Sequence, residues 1–261
     1  MSEFDPRSPA IARVYDYLLG GKTNFAADRA MAEQLIALVP ETAEALRDNR
    51  AFLTRAATWV ADQGIEQFVD LGCGLPTEPT THGTVLAVRP GARVAYVDND
   101  PVVYNHLSEL LAKDRAVRSL GTDLRDVPAV LAAITAGSFV DFSLPACVLL
   151  GSVLHFYPLD EARDLVRAYL APLVPGSYLV MSVAVPVTAA GAEAAASYRA
   201  SGRNFYPYTE EQVAALFDLP ALELVAPGVT LTRRWQAGWT GLPTATSRDA
   251  DVLAGVARVT S

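Results

Sequence analysis

A carboxylate and two glycines follow one another at the end of a short apolar run, in residues 67–74 of the chain. Such a run predicts a buried strand that turns sharply toward a helix. Gly72 and Gly74 can adopt positive φ and let a ligand approach the backbone. Free N–H groups at this turn would bind a polar or anionic ligand group. With Asp70 as an additional acceptor, the stretch predicts a site for a nucleoside-type cofactor.

A second acid, Asp98, closes another apolar run 24 residues after Gly74 and is followed by Asn99. A carboxylate at this place can accept hydrogen bonds from both ribose hydroxyls of a nucleoside. The alternative is a solvated turn acid in front of the next helix. We predict the ribose role for Asp98.

Four predicted strands in succession end in polar or glycine-bearing residues, and the carboxyl ends of parallel strands meet at one edge of a sheet. The residues at these ends are Asp70, Gly72, Gly74, Asp98, Asn99, Asp123, Leu124, Gly151 and Ser152. Loops are polar in any case, so each end is weak evidence alone. Their succession at matching places predicts that they surround one ligand.

Two cofactors fit this pattern to different degrees. Asp70 would repel the pyrophosphate of a nicotinamide dinucleotide, and Thr77 stands where dinucleotide folds prefer Gly or Ala. S-adenosylmethionine has no phosphate, and its ammonium and sulfonium suit a carboxylate. Asp123 would accept a hydrogen bond from the adenine amine while Leu124 packs on the ring. The charge match favours S-adenosylmethionine, with the dinucleotide as the alternative.

The N-terminal block is too polar and too rich in glycine for a plain core helix. Its distinctive residues are Tyr15, Tyr17, Gly20, Gly21, Lys22 and Asn24. We predict a lid over the methionyl end of the cofactor, in which the tyrosines, Tyr17 among them, stack, the two glycines bend the chain, and Asn24 bonds the ligand. The alternative is a structural cap whose tyrosines only pack.

His155 is the candidate for acid–base chemistry, because it follows the fourth strand and its ordinary pKa lies near neutrality. The alternative is a packed loop histidine between Leu154 and Phe156. The three histidines lie far apart and the two cysteines lack ligand spacing, so no metal site is predicted.

The elements that must position these residues alternate between strand and helix after residue 63. We predict strands at 66–71, 93–97, 116–120, 146–150 and 177–185, with later candidates at 223–225 and 253–259. Nearly continuous apolar strands separated by helices indicate a parallel sheet covered on both faces. We therefore predict an N-terminal helical cap at 1–63 and an α/β cofactor-binding unit at 64–261.

Composition narrows the possible partners. Of 261 residues, 51% are hydrophobic and 19% charged, which supplies an ample core and argues against long disordered tails. The net charge of −8 argues against nucleic acid and leaves a small-molecule partner. The polar start and the lack of a bilayer-length apolar run predict a cytoplasmic protein with reduced cysteines and no membrane contact. A homo-oligomer stays open.

The chain resembles the S-adenosylmethionine-dependent methyltransferase superfamily, and within it the bacterial S-adenosyl methyltransferase group, formerly a domain of unknown function. The resemblance rests on residues 12–22, 24–25, 28–29, 49–53, 74–77, 81–82, 96–101, 153–156, 175–179 and 255–258. It implies a Rossmann-like sheet of seven strands, the last antiparallel, with the cofactor at Asp70, Gly72, Gly74, Asp98 and Asp123. The chain departs from the pattern at Pro76, which replaces a third loop glycine, and at Thr80 and Gly83.

These observations predict a methyltransferase that uses S-adenosylmethionine, releases S-adenosylhomocysteine, and acts on an O, N or C nucleophile of a small molecule. Two alternatives remain at this point. One is a non-catalytic, S-adenosylmethionine-binding regulatory protein, and the other is an NAD-dependent oxidoreductase.

Overall fold

The computed structural model describes residues 4–110, 114–200, 204–236 and 250–261. The helices are α1 (Ile11–Leu18), α2 (Ala26–Leu38), α3 (Thr42–Asp62), α4 (Thr81–Val88), α5 (Pro101–Leu110), α6 (Val127–Thr135), α7 (Leu159–Leu170), α8 (Ala189–Ala200) and α9 (Glu210–Phe217). The strands are β1 (Gln67–Leu71), β2 (Arg93–Asp98), β3 (Val117–Gly121), β4 (Cys147–Gly151), β5 (Tyr178–Pro186), β6 (Leu222–Leu224), β7 (Thr230–Leu231) and β8 (Ala250–Val259).

Within the described residues, one sheet has the strand order β3-β2-β1-β4-β5-β8-β6, with β7 paired to β8. The pairs from β3 through β5 are parallel, and β8 runs antiparallel to β5. The predicted parallel sheet with an antiparallel last strand is confirmed. The predicted count of seven is wrong, because β7 is an eighth strand of two residues, too short to leave a periodic pattern in the sequence.

The sheet is buried on both faces because its strands alternate apolar side chains between two cores. In β1, Phe68 packs with the α3, α4 and α5 side, while Val69 and Leu71 pack with the α6, α7 and α9 side. All three side chains are fully buried. β1 has β2 on one side and β4 on the other. The order in which strands are added to the sheet therefore reverses at β1, and a crevice opens at the carboxyl end of this strand.

Polar residues fix where the helices flanking this crevice begin. Thr80 caps α4 by accepting the N–H of Gly83 at 3.1 Å, and Asp126 caps α6 in the same way through Ala129. Pro101 is the first residue of α5, where its missing N–H is not needed. Each of these three helices therefore begins at a residue type suited to a helix N-terminus.

The N-terminal helices divide into two kinds. α3 packs directly on the sheet through Phe52, Ala56 and Val60, whereas α1 and α2 form a separate small core with Tyr198 of α8. The division at residue 63 stays a prediction. We propose that the cap proper consists of α1 and α2.

Candidate functional site

A cavity of about 250 Å³ lies at the carboxyl ends of β1, β2 and β4, bordered by α1 and α3. The predicted residues that line it are Asp70, Gly72, Gly74, Asp98, Asn99, Leu124, Gly151 and Ser152. The sheet thus brings residues from four separate parts of the sequence to one place.

Two glycines give the first loop its shape. Gly72 has φ +67° and Gly74 has φ +64°, in the left-handed region that other residues rarely adopt. A Cβ on Gly72 would lie 2.7 Å from Cγ2 of Val153. The loop therefore requires glycine at position 72 both for its backbone and for its packing.

The backbone donors of this loop bond to β2. The N–H groups of Gly72 and Cys73 donate to the carbonyl of Val97 at 2.8 and 3.3 Å, and the Gly74 N–H donates to Oδ2 of Asp98 at 2.9 Å. The prediction that these N–H groups are free for a ligand is wrong. The sequence could not reveal this, because the acceptors belong to a strand more than twenty residues away.

Asp98 is held by the backbone on both oxygens. Oδ2 accepts the Gly74 N–H and Oδ1 accepts the Asp100 N–H, both at 2.9 Å. Burial raises the pKa of Asp98 to about 6, with smaller contributions from the charges of Asp100 and Asp70, and the two N–H groups oppose the rise. Because each carboxylate oxygen has a second acceptor site, Asp98 can still accept two hydroxyl groups.

We expect ligand binding and protein stability to respond to pH in opposite directions at Asp98. Its pKa in the folded protein is about 6, against an ordinary 3.8, so burial of the charged form costs stability as pH rises through this range. Hydroxyl donors favour the charged carboxylate, so affinity for S-adenosylhomocysteine should fall by up to about tenfold per pH unit below pH 6. Isothermal titration between about pH 5 and 8 measures this change.

The matched control for this titration is Asp98→Asn, in which no proton is exchanged at this position. The fall in affinity below pH 6 should become shallower in the variant. An equally steep fall in the variant would assign the pH dependence to another group.

Asp70 gives the cavity an acidic floor, and the same cavity contains a cation. Its Oδ2 accepts the hydroxyl of Thr81 at 2.8 Å, and its side chain is almost fully buried. Burial raises the pKa of Asp70, while the Thr81 hydroxyl and the positive charge of Arg50 oppose that rise. Arg50 also lines the cavity and donates to the Thr77 carbonyl at 3.1 Å. The cavity is therefore lined by side chains of opposite charge.

Asn49 supplies an unsatisfied acceptor. Its Nδ2 donates to the hydroxyl of Tyr15 at 3.1 Å, and its buried Oδ1 has no hydrogen-bond partner among the described residues. Both side chains line the cavity. Since an unpaired buried acceptor is costly, a donor on a ligand would stabilise this arrangement. The site predictions omitted Asn49 and Arg50, although their helical spacing with the apolar Leu53 was a usable signal.

Comparison with known proteins identifies the family of this chain. The S-adenosyl methyltransferase family matches the chain over residues 1–260. The chain belongs to the S-adenosyl methyltransferase family. It is therefore an S-adenosylmethionine-dependent methyltransferase, which confirms the predicted cofactor and enzyme class over the two alternatives.

Solved structures agree with this family. A protein from Thermobifida fusca YX, described as a candidate methyltransferase, is 38% identical, with 98% of this chain and 96% of that chain covered and a TM-score of 0.90. A DUF574 family protein from Streptomyces avermitilis MA-4680 is 31% identical, with 98% and 99% covered and a TM-score of 0.86. An O-methyltransferase family protein from Burkholderia thailandensis, at 14% identity, 98% and 65% coverage and a TM-score of 0.52, shares the fold. None of the curated proteins compared with the chain matches it.

The cap of this methyltransferase contacts the cavity through Tyr15, but not through Tyr17 or Asn24. The Tyr17 hydroxyl donates to Oε1 of Glu33 at 2.5 Å, and Asn24 donates to Asp16 and to the Gly21 carbonyl. Neither Tyr17 nor Asn24 lines the cavity, so the structure does not bring these two residues to the other predicted site residues. On the cap, Ile11, Ala12, Tyr15 and Asp16 line it instead.

The third strand end lies partly outside the cavity. Leu124 lines it as predicted, but Asp123 faces an adjoining depression and binds Arg125, with 2.6 Å between Oδ2 and Nη2. This hydrogen bond is the main cause of the lowered pKa of Asp123. Asn99 borders both the cavity and the depression. The adenine role of Asp123 stays a prediction and would require Asp123 to share its carboxylate with Arg125.

At the end of β4, the strand and α3 pack closely together at the border of the cavity. A Cβ on Gly151 would lie 2.7 Å from Cδ1 of Leu53, so α3 approaches the strand there. Ser152 follows with φ +54°, uncommon for a residue other than glycine. Its N–H donates to Ser182, while its buried hydroxyl has no hydrogen-bond partner in the described part of the chain.

His155 does not offer the free base that its predicted role requires. Its Nδ1 accepts the N–H of Ala184 at 3.2 Å, which places the proton of the neutral ring on Nε2. The ring is buried beside Phe156 and Phe205, and burial lowers the pKa of His155 to about 3. His155 is therefore uncharged at neutral pH, and the general-base role does not fit this geometry.

The described ranges lack both a metal-binding cluster and a membrane-spanning helix. They hold no group of three or more His, Cys, Asp or Glu side chains that could bind a metal ion. In the same ranges, no helix has both the length and the apolar character needed to cross a membrane. Cys73 and Cys147 are both free thiols.

Proposed function

We propose that the cavity binds S-adenosylmethionine with Asp98 on the ribose, Asp70 and Asn49 on the methionyl ammonium, and Arg50 on the methionyl carboxylate. This assignment rests on one observation, which is that three charged side chains line the same cavity. Asp98 is held there by two backbone N–H groups, and Asp70 and Arg50 carry opposite charges. The other features agree with it.

The residues present fit the charges of this cofactor. A carboxylate and an unsatisfied amide oxygen, on Asp70 and Asn49, suit a group that donates several hydrogen bonds and carries a positive charge. A guanidinium on Arg50 suits a carboxylate. A pyrophosphate would meet the negative floor at Asp70, and its usual donors in the glycine loop are already bonded to β2.

The chemistry of transfer depends mainly on position and on exclusion of water. S-adenosylmethionine held by these residues would supply a transferable methyl group on a positively charged sulfur. The chain holds the reactants together and covers them with α1, and such positioning lowers the barrier substantially. Since His155 is neutral and its Nδ1 is engaged, it cannot take a proton from the acceptor but can orient a neighbouring group through Nε2.

We propose a small molecule as the methyl acceptor. The cavity is enclosed by the cap, and the net charge of −8 disfavours a nucleic-acid backbone. A homo-oligomer stays a prediction, and the two free thiols are compatible with the predicted cytoplasmic location.

Replacing Arg50 with methionine should weaken S-adenosylhomocysteine binding about tenfold, because a charge-assisted hydrogen bond to the ligand carboxylate is lost. Arg47→Met is the matched control, since Arg47 lies exposed on the same helix and outside the cavity. Isothermal titration measures both affinities.

A second ligand makes this test specific for the carboxylate. 5′-Methylthioadenosine lacks the amino-acid portion, so Arg50→Met should leave its affinity unchanged. An equal loss for both ligands would mean that Arg50 acts through the structure of the cavity and does not bind the carboxylate.

A further inference from the structure

A second cavity, of about 160 Å³, adjoins the cofactor cavity under the cap. It is enclosed by α1, α2, α8 and the end of β5, and it shares Ile11, Tyr15, Ser152 and Phe156 with the first cavity. The shared residues form one wall between the two spaces. A molecule in the second cavity would therefore lie next to a ligand in the first.

The lining of this second cavity is apolar. It includes Val14, Leu18, Leu35 and Val185, and no Asp, Glu, Lys or Arg is among the described residues that line it. His155 lines it too, and the lowered pKa of its buried ring keeps it uncharged at neutral pH. Because an unpaired charge is costly to bury, the cavity disfavours charged ligands. An apolar cavity of about this size can hold a benzene-sized molecule.

The entrance to the cavity is apolar as well. Ile11 and Leu38 line it and are 38% and 42% exposed. Their exposure gives an apolar surface that is continuous with the interior. Contiguous exposed apolar surface is one feature of ligand-binding grooves.

One polar group lies at the junction of the two cavities. The Ser152 hydroxyl is buried and has no hydrogen-bond partner within the described ranges, and the Ser152 backbone has the uncommon φ of +54°. Both features cost free energy, and such costs concentrate at functional sites. A polar group of a ligand in the second cavity would satisfy this hydroxyl.

We propose that the second cavity is the methyl-acceptor site, and that the acceptor is an uncharged, largely hydrocarbon molecule whose single polar group meets the hydroxyl of Ser152. The role as acceptor site rests on the proposed cofactor site next to it. The apolar binding itself does not, so the two can be tested separately.

The probe is indole, an uncharged apolar molecule, titrated into protein saturated with S-adenosylhomocysteine and followed by NMR of alanine methyl groups. Signals of Ala184 and Ala195, which line the cavity, should shift, whereas that of the exposed Ala196 should not. Indole-3-carboxylate should bind at least about tenfold more weakly, because its charge has no partner in the cavity.

Two matched variants localise the binding. Ala195→Leu fills the cavity and should weaken indole binding at least about tenfold, while Ala196→Leu, one residue along the same helix, should leave it unchanged. Both variants should keep wild-type affinity for S-adenosylhomocysteine.

Three results would overturn the proposal: equal indole affinity in the Ala195→Leu and Ala196→Leu variants, equal affinity for indole and its carboxylate, or displacement of indole by S-adenosylhomocysteine. The last result would mean that the two cavities hold parts of one ligand. If the wild type does not bind S-adenosylhomocysteine at all, the proposed cofactor site fails, and the indole titration of the unliganded protein still tests the apolar cavity. The methyl shifts are measured on the wild type, so the test does not depend on either variant folding.

Discussion

Replacing Asp98 with alanine is expected to weaken S-adenosylhomocysteine binding by about 100-fold or more, because two hydrogen bonds from the ribose to a buried carboxylate are lost together. The same change removes the acceptor of the Gly74 N–H and so loosens the glycine loop. Both effects reduce affinity. Isothermal titration measures the loss, and far-UV circular dichroism checks that the fold is kept.

Asp114→Ala is the matched control for this variant. Oδ1 of Asp114 accepts the N–H of Ala116 two residues ahead, just as Oδ1 of Asp98 accepts the Asp100 N–H, but Asp114 lies outside the cavity. It should bind the ligand with wild-type affinity. If Asp98→Ala is folded and binds as tightly as Asp114→Ala, Asp98 does not hold the ribose.

Replacing Arg13 with methionine is expected to lower the free energy of unfolding by about 3–5 kcal/mol, the usual cost of leaving buried charges without a partner. The buried Arg13 guanidinium lies 3.5 Å from Asp28 of α2 and 3.5 Å from Asp100 after β2, and it contacts the faces of Phe4 and Phe25. Methionine keeps most of the volume but removes the charge. Urea unfolding measures the change.

Arg7→Met controls for loss of an arginine in general, because Arg7 pairs with Asp5 on the exposed surface, where ion pairs contribute little. We expect no measurable change for this control. Arg13→Lys keeps the charge and should recover part of the stability. A loss for Arg13→Met as small as that for Arg7→Met would show that the buried cluster does not hold the cap in place.

This cluster also connects the cap to the cofactor site. Arg13 of α1 contacts Asp100, and the Asp100 N–H donates to the carboxylate of Asp98. The position of the cap and the position of Asp98, the acid proposed to bind the ribose, are therefore coupled through a single loop. We expect Arg13→Met to weaken cofactor binding as well as folding.

The sheet and the strand-end residues could be predicted because they depend on local pattern. Apolar runs separated by helices predict parallel strands, and Asp70 and Asp98 were found because each ends such a run. The parallel arrangement then brings their ends together. This reasoning needs no knowledge of side-chain direction.

The contacts of the cap could not be predicted in this way. Tyr15 and Tyr17 are two residues apart on one helix, so they point about 200° apart, and only the packing of α1 decides which one meets the ligand. Asn49 and Arg50 lie on α3, for which the sequence pattern predicts an amphipathic helix but not which of its polar residues face the cavity. The two-residue β7 was missed because pairing with β8, and not its own sequence pattern, defines it.

The bonds between the glycine loop and β2 have a kinetic consequence. Because Gly72, Cys73 and Gly74 already donate within the protein, this side of the site keeps its shape throughout turnover and needs no ordering when a fresh cofactor arrives. We expect exchange of spent for fresh cofactor to require movement of α1 and α2 alone. The opening rate of those two helices would then set an upper limit on how often the enzyme can complete its cycle.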